Sequence, residues 1–256
     1  DGDPPAKAIY GAFPNQAGVL AALLSRAGLG ADCDAVAGPA GIFGLFHGGT
    51  FDAKALTGGL GTEFLLMETQ FKPWPTSLHA HTFIEAATEI AGKGLHHLEM
   101  EAVEVVGHSS IRTWCEPLIK RRRPENAAAA GNSIPFCVAK ALVHGNLTLA
   151  DLTDQGLHDA AAIAVAERIV YRLNDHFTGG AVNVTTGYGR ILEARVESPL
   201  GGHTRPLTDM QLAEKFRDCC RHGQNFGQLP FGRRARQVGQ SCHRWLPRQS
   251  VCWLPR

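Results

Sequence analysis

Lys72, His79 and His81 stand close together on the stretch Phe71-Lys72-Pro73-Trp74-Pro75-Thr76-Ser77-Leu78-His79-Ala80-His81. Proline fixes its own φ and biases the residue before it toward extended backbone. Pro73 and Pro75 therefore hold Lys72 and Trp74 in a defined extended shape. A stiff segment carrying one ammonium and two imidazoles, one of them at a helix start, suits binding and proton transfer on a small anion. The alternative is a surface connection whose histidines are incidental. His79 and His81 are two apart, so on a helix they point to nearly opposite sides and cannot share a metal. On a strand they could, but no third ligand of suitable spacing accompanies them. Ser133 lacks the G-x-S-x-G setting of an activated nucleophile. His96-His97 follows Gly94 and reads as an exposed loop.

The elements around these residues are legible from pattern. Gly18–Ala27 is rich in helix formers, and Gly28-Leu29-Gly30 stops it. Residues 38–61 are glycine-rich but contain neither G-x-G-x-x-G nor G-x-x-x-x-G-K-S/T, so the glycines read as turns and close packing. Thr82–Ala91 reads as a helix, and Leu98–His108 alternates with the period of a half-buried strand. The basic run Lys120-Arg121-Arg122-Arg123-Pro124 reads as a solvated turn or the rim of a substrate entrance, with localisation or nucleic-acid binding as the alternative. Residues 126–143 and 159–172 are each expected to be helical. Ala181–Thr186 and Arg190–Glu197 read as strands joined at Gly187-Tyr188-Gly189. Thr208 is a plausible N-cap for a last helix reaching Cys220.

These elements give an α+β fold: the end of a helical domain (1–65), a smaller α+β domain (66–205), and a helix returning to the helical domain (206–220). Residues 221–256 have no regular period and contain the near-duplicates Arg244-Trp245-Leu246-Pro247-Arg248 and Cys252-Trp253-Leu254-Pro255-Arg256. They are expected to be an irregular, disordered or poorly packed tail, with a reading-frame error or truncation preferred over a functional basic tail.

A net charge of +1 gives no reason to expect nucleic acid or an anionic membrane as main partner. No apolar run approaches the ~20 residues that span a bilayer, and the start Asp1-Gly2-Asp3-Pro4-Pro5 is not a signal peptide. The 7 cysteines include no C-x-x-C pair, which argues against a disulfide framework or zinc site and for a reducing, cytoplasmic setting. Cys137 reads as a small core residue.

Four blocks in order carry a resemblance. They are Lys-x-x-Pro-x-x-x-His-x-x-x-x-x-Glu-Ala from Lys72 to Ala86, Arg122-Arg123-Pro124 followed by Ser133–Ala139, Gly189-Arg190 to Arg195-Val196, and Lys215-Phe216-Arg217-Asp218-Cys219. With them the chain resembles the MmgE/PrpD family of 2-methylcitrate dehydratases and cis-aconitate decarboxylases over about residues 5–220. The resemblance implies a large helical domain and a smaller α+β domain with the active site between them, usually in a homodimer. It implies elimination of water or carbon dioxide from small citrate-like carboxylic acids, or epimerisation of a related amino-diacid, without metal or other cofactor. It places the family's lysines on Lys7 and Lys72 and its histidine on His79 or His81, the dehydratase pattern favouring His79. Lys7, Lys72 and Arg123 are then expected to bind substrate, with Lys72, His79 and His81 catalytic. Phe136 stands where the decarboxylase branch has tyrosine, and Tyr10 where another family position has histidine. The family's N-terminal helical half, with its catalytic aspartate and histidines, would precede Asp1. The chain is thus expected to be an internal or C-terminal fragment, either an active lyase or a catalytically incomplete, dimerising module.

Overall fold

The computed structural model describes residues 10–30 and 34–225, which fall into two compact units, one within Pro5–Thr69 and the other from Gln70 onward. In the first unit α1 spans Ala12–Arg26, α2 Ile42–His47 and α3 Ala53–Thr57. The first helix begins six residues before the helix formers at Gly18, on Ala12. Gly48, with φ +62°, closes α2 in the left-handed conformation that glycine adopts without strain.

The second unit is α+β. It contains α4 (His81–Ala91), β1 (Met100–Gly107), α5 (Arg112–Cys115), α6 (Leu118–Arg122), α7 (Ala127–Gly131), α8 (Ile134–His144), α9 (Asp154–Leu157), α10 (Ala160–Glu167), β2 (Ile169–Leu173), β3 (Gly180–Thr186), β4 (Ile191–Val196) and α11 (Asp209–Asn225). The strands form one mixed sheet in the order β2-β1-β3-β4, with β1 parallel to β2 and the other pairs antiparallel. The α+β expectation therefore holds.

Alternation along the strands sends Val103, Val105, Val182, Val184, Leu192, Ala194 and Val196 into the core. The opposite face carries a polar ladder, in which Arg172 and Asn183 both donate to Glu104. Helix α4 is buried on two sides because it packs against β3 and β4 on one side and α8 on the other. The ring of Phe83 fits at the sheet only because the paired Gly107 and Gly180 lack side chains. A Cβ on Gly180 would lie 2.7 Å from Phe83 Cε1, and one on Gly107 would lie 2.8 Å from Phe83 Cζ.

Two long helices expected from the sequence are interrupted. Residues 126–143 divide into α7 and α8 because Ser133 takes a β conformation as N-cap and its Oγ accepts from Phe136 N at 3.2 Å. Pro135, which has no N–H to give, then sits in the first turn of α8. Residues 159–172 begin as α10 under the Asp159 cap, but from Ile169 the β-branched and aromatic run Ile169-Val170-Tyr171 pairs with β1 as a strand. The last helix runs past Cys220 to Asn225, with Thr208 and Gln211 bonded reciprocally at its start. The tail from 226 lies outside the described residues.

The basic run is exposed at its ends, Lys120 and Arg123, but its middle is not a solvated turn. Arg121 donates to the carbonyls of Glu116, Asn132 and Thr113, and Arg122 donates to the carbonyl of Ile169. A guanidinium has five N–H donors in a fixed fork, so a loop crossing can consume it entirely.

Candidate functional site

Four tethers shape the segment that carries Lys72. Phe71 N donates to Gly201 O at 2.9 Å, Trp74 Nε1 to Asn146 Oδ1 at 2.8 Å and Ser77 N to Gly131 O at 2.7 Å. The Lys72 ammonium itself donates to Thr76 O at 3.2 Å. Gly201 is required for this arrangement: its φ is +98°, and a Cβ there would sit 2.0 Å from Phe71 O. The chain then turns through Leu78–Ala80, a single 3₁₀ turn, into α4 at His81.

The two imidazoles occupy different environments. His79 is exposed on one side and lies against the indole of Trp114 on the other, with ring centroids 3.8 Å apart and planes inclined by 30°. Partial burial and then the nearby Lys72 ammonium lower its pKa below the ordinary 6.5. At neutral pH His79 is thus mostly the free base, the form that accepts a proton. His81 is fully buried, edge-on to Trp74 with ring centroids 5.3 Å apart. Neither of its ring nitrogens has a hydrogen-bond partner among the described residues. The Thr76 and Trp74 carbonyls lie near enough to favour the imidazolium slightly, without hydrogen-bond geometry. Burial first, then the charge of Lys72 and a lesser one from Lys215, push the His81 pKa down to about 4.

Lys72, His79 and His81 are therefore one electrostatic group. Arg123 is not joined to it by any contact among the described residues, and its guanidinium pairs with Glu167 instead. Lys7 lies outside the described residues. Phe136, which the resemblance sets at the decarboxylase tyrosine, is buried in the core. Two neighbours come from distant sequence: Trp114 on α5 and Lys215 on α11. Trp114 belongs to no local motif that would have marked it, whereas Lys215 opens the last of the four blocks that carry the resemblance.

Beside the segment, a partly open cavity of about 360 Å³ is lined by Trp74, Leu147, Leu207, Gln211 and Lys215, among others. A second polar cluster lies elsewhere in the same unit. The buried Lys140 ammonium is 2.9 Å from Asp159 Oδ2 and 3.2 Å from Asp151 Oδ1, while His144 also bonds Asp159. Burial works to raise the Asp159 pKa, but the bonds from His144 and Lys140 outweigh it and hold the carboxyl well below its usual range. Both aspartates also cap helical turns, Asp151 at Thr148 and Asp159 at Ala161 and Ala162. Their lone pairs are committed to tying α8, the 3₁₀ turn Leu149–Leu152 and α10 together. Cys115 and Cys137 are buried free thiols, and burial pushes Cys115 up to about 12. Among the described residues no three His, Cys, Asp or Glu side chains are grouped to hold a metal ion, and no helix is long and apolar enough to cross a membrane.

Residues 74–225 match the MmgE/PrpD C-terminal domain. The chain is 30% identical over 191 residues to a 2-methylcitrate dehydratase of Salmonella typhimurium and to one of Salmonella typhi, alignments that cover 67% of this chain and 38% of each relative. A 2-methylcitrate dehydratase of Cupriavidus necator is 29% identical over 191 residues, 68% of this chain and 38% of the relative. The chain thus spans well under half the length of these relatives.

Proposed function

The chain belongs to the MmgE/PrpD family, and on that footing we propose that it serves a lyase that removes water from a small tricarboxylic acid of the 2-methylcitrate type. The observation that carries this reading is the pairing of the Lys72 ammonium with a half-exposed imidazole, His79, kept mostly neutral at pH 7. His79 takes a proton from the carbon beside a substrate carboxylate. The electron pair left behind forms the carbon–carbon double bond as the neighbouring carbon–oxygen bond breaks, and the hydroxide takes a proton from solvent and departs as water. The developing charge on the carboxylate is met by Lys72, a compact cation. His81 has no exposed surface and acts from behind, as part of the wall that fixes Trp74. Lys72 and His79 carry the reading rather than Arg123, whose fork is taken up by Glu167. Lys7 remains the second proposed carboxylate ligand.

A second reading follows from the 38% coverage of the relatives: these residues contribute to a site completed by parts of the protein that this chain does not contain. Decarboxylation and epimerisation are the variants of the first, with Phe136 counting against decarboxylation. The test is turnover of 2-methylcitrate, citrate and cis-aconitate by the purified chain with EDTA present, followed by absorbance and proton NMR. Product that disappears in Lys72→Ala supports the lyase. No product from a folded chain favours the second reading, and unchanged turnover in Lys72→Ala removes Lys72 from the site.

A further inference from the structure

We infer that Trp114, held in place by the Arg121 guanidinium, is a positioning residue for His79, and that Arg121 of the basic run serves the site in this indirect way. The inference rests on the reading in which His79 moves the proton. Three observations combine. First, the only ring against His79 among the described residues is Trp114, with a centroid separation of 3.8 Å. An exposed histidine in the middle of a 3₁₀ turn otherwise has several staggered rotamers open to it. A flat indole on one face removes those that would swing the ring outward.

Second, Trp114 is itself fixed. It sits on α5 between Thr113 and the fully buried Cys115, and it packs against the core. Arg121 takes the carbonyls on both sides of it, Nη2 to Thr113 O at 2.9 Å and Nε to Glu116 O at 3.1 Å, while Nη1 reaches Asn132 O at 3.0 Å. Three carbonyls from two separate turns thus converge on one planar fork. Lysine cannot reproduce that geometry, because its ammonium is a point charge on a flexible stem.

Third, the same turn is held from its other side. Glu116 accepts from the Tyr171 hydroxyl on β2 and pairs with Arg112 at 3.0 Å. The turn bearing Trp114 is therefore tied to the sheet as well as to α6 and to Asn132, the C-cap of α7. The indole is a rigid platform, and His79 rests on it.

The test uses NMR of the wild-type chain, with the His79 side-chain signals identified by their loss in His79→Gln. Wild type is expected to show a nuclear Overhauser effect between the His79 ring protons and the Trp114 indole, and His79 signals shifted upfield by the indole ring current. Trp114→Leu keeps an apolar side chain against the core but removes the ring. It is expected to abolish the upfield shift. Arg121→Lys keeps the charge and loses the fork, and it is expected to weaken the Overhauser effect and move His79 toward its position in Trp114→Leu. Where the chain turns over substrate, Trp114→Leu lowers kcat between about tenfold and a hundredfold with KM little changed, the signature of misplacement. Absence of the Overhauser effect in wild type overturns the inference without needing any variant to fold. A His79 signal indifferent to Trp114→Leu overturns it as well, and one indifferent to Arg121→Lys overturns the role of Arg121. A chain that shows the contact but no turnover leaves the positioning intact and counts against the lyase reading alone.

Discussion

Replacing His81 with leucine removes a buried imidazole that satisfies no hydrogen bond among the described residues, so the change costs little at neutral pH. Its effect appears in acid. The His81 pKa is about 4 in the folded chain against an ordinary 6.5, because burial, Lys72 and Lys215 all disfavour the imidazolium. The folded pKa is the lower one, so the unfolded chain binds the proton first as pH falls. The stabilisation is whole above pH 6.5 and is lost as pH drops toward 4. With those two values, the wild-type chain loses about 2 kcal/mol through His81 between pH 7.5 and 5, and about 3 kcal/mol by pH 4. Urea unfolding followed by tryptophan fluorescence at pH 7.5, 6 and 5 reads this directly. In His81→Leu the fall in stability between pH 7.5 and 5 should be smaller than in wild type by about 2 kcal/mol. Equal falls in the two proteins would refute the reasoning and mean that His81 is protonated or hydrated in the fold.

Other changes test other parts of the account. Gly180→Ala would put a Cβ 2.5 Å from Thr82 Oγ1 and 2.7 Å from Phe83 Cε1, and should cost about 1–3 kcal/mol in a urea midpoint by overpacking. Lys140→Ala leaves Asp151 and Asp159 without their shared cation and should cost about 3–5 kcal/mol, the range for breaking a buried pair. Lys72→Met should raise the His79 titration midpoint measured by NMR, since the lysine charge is one of the two causes holding it down.

The sequence exposed the parts of this chain governed by local rules. Alternation in Leu98–His108 and the glycine-marked hairpin at 187–189 gave three of the sheet's strands, β1, β3 and β4, because period and turn chemistry are local. The Lys72–His81 segment was readable because two prolines limit its backbone on their own. Residues 159–172 misled for a physical reason: Ala160–Glu167 is a strong helix, and nothing local announces that Ile169 meets Val103 in the sheet. Tertiary pairing overrode the helical pattern there. The basic run misled in a similar way, since Arg121 and Arg122 find their acceptors at Asn132 and Ile169, carbonyls that only folding brings near. Trp114 beside His79 was invisible because they are joined by neither period nor spacing. Lys7 and residues 226–256 fall outside the described residues, so the expectations placed on them rest on the sequence.

The central claim is that Lys72 and His79 together receive a small polycarboxylate, and it can be tested whether or not the chain completes a reaction. Citrate would be titrated into the purified chain while the His79 ring signals are followed by NMR, in wild type and in Lys72→Met. The account predicts a saturable shift of the His79 signals with citrate, and a much weaker response when Lys72 is gone. Citrate that leaves His79 unmoved, or that moves it equally without Lys72, would contradict the claim.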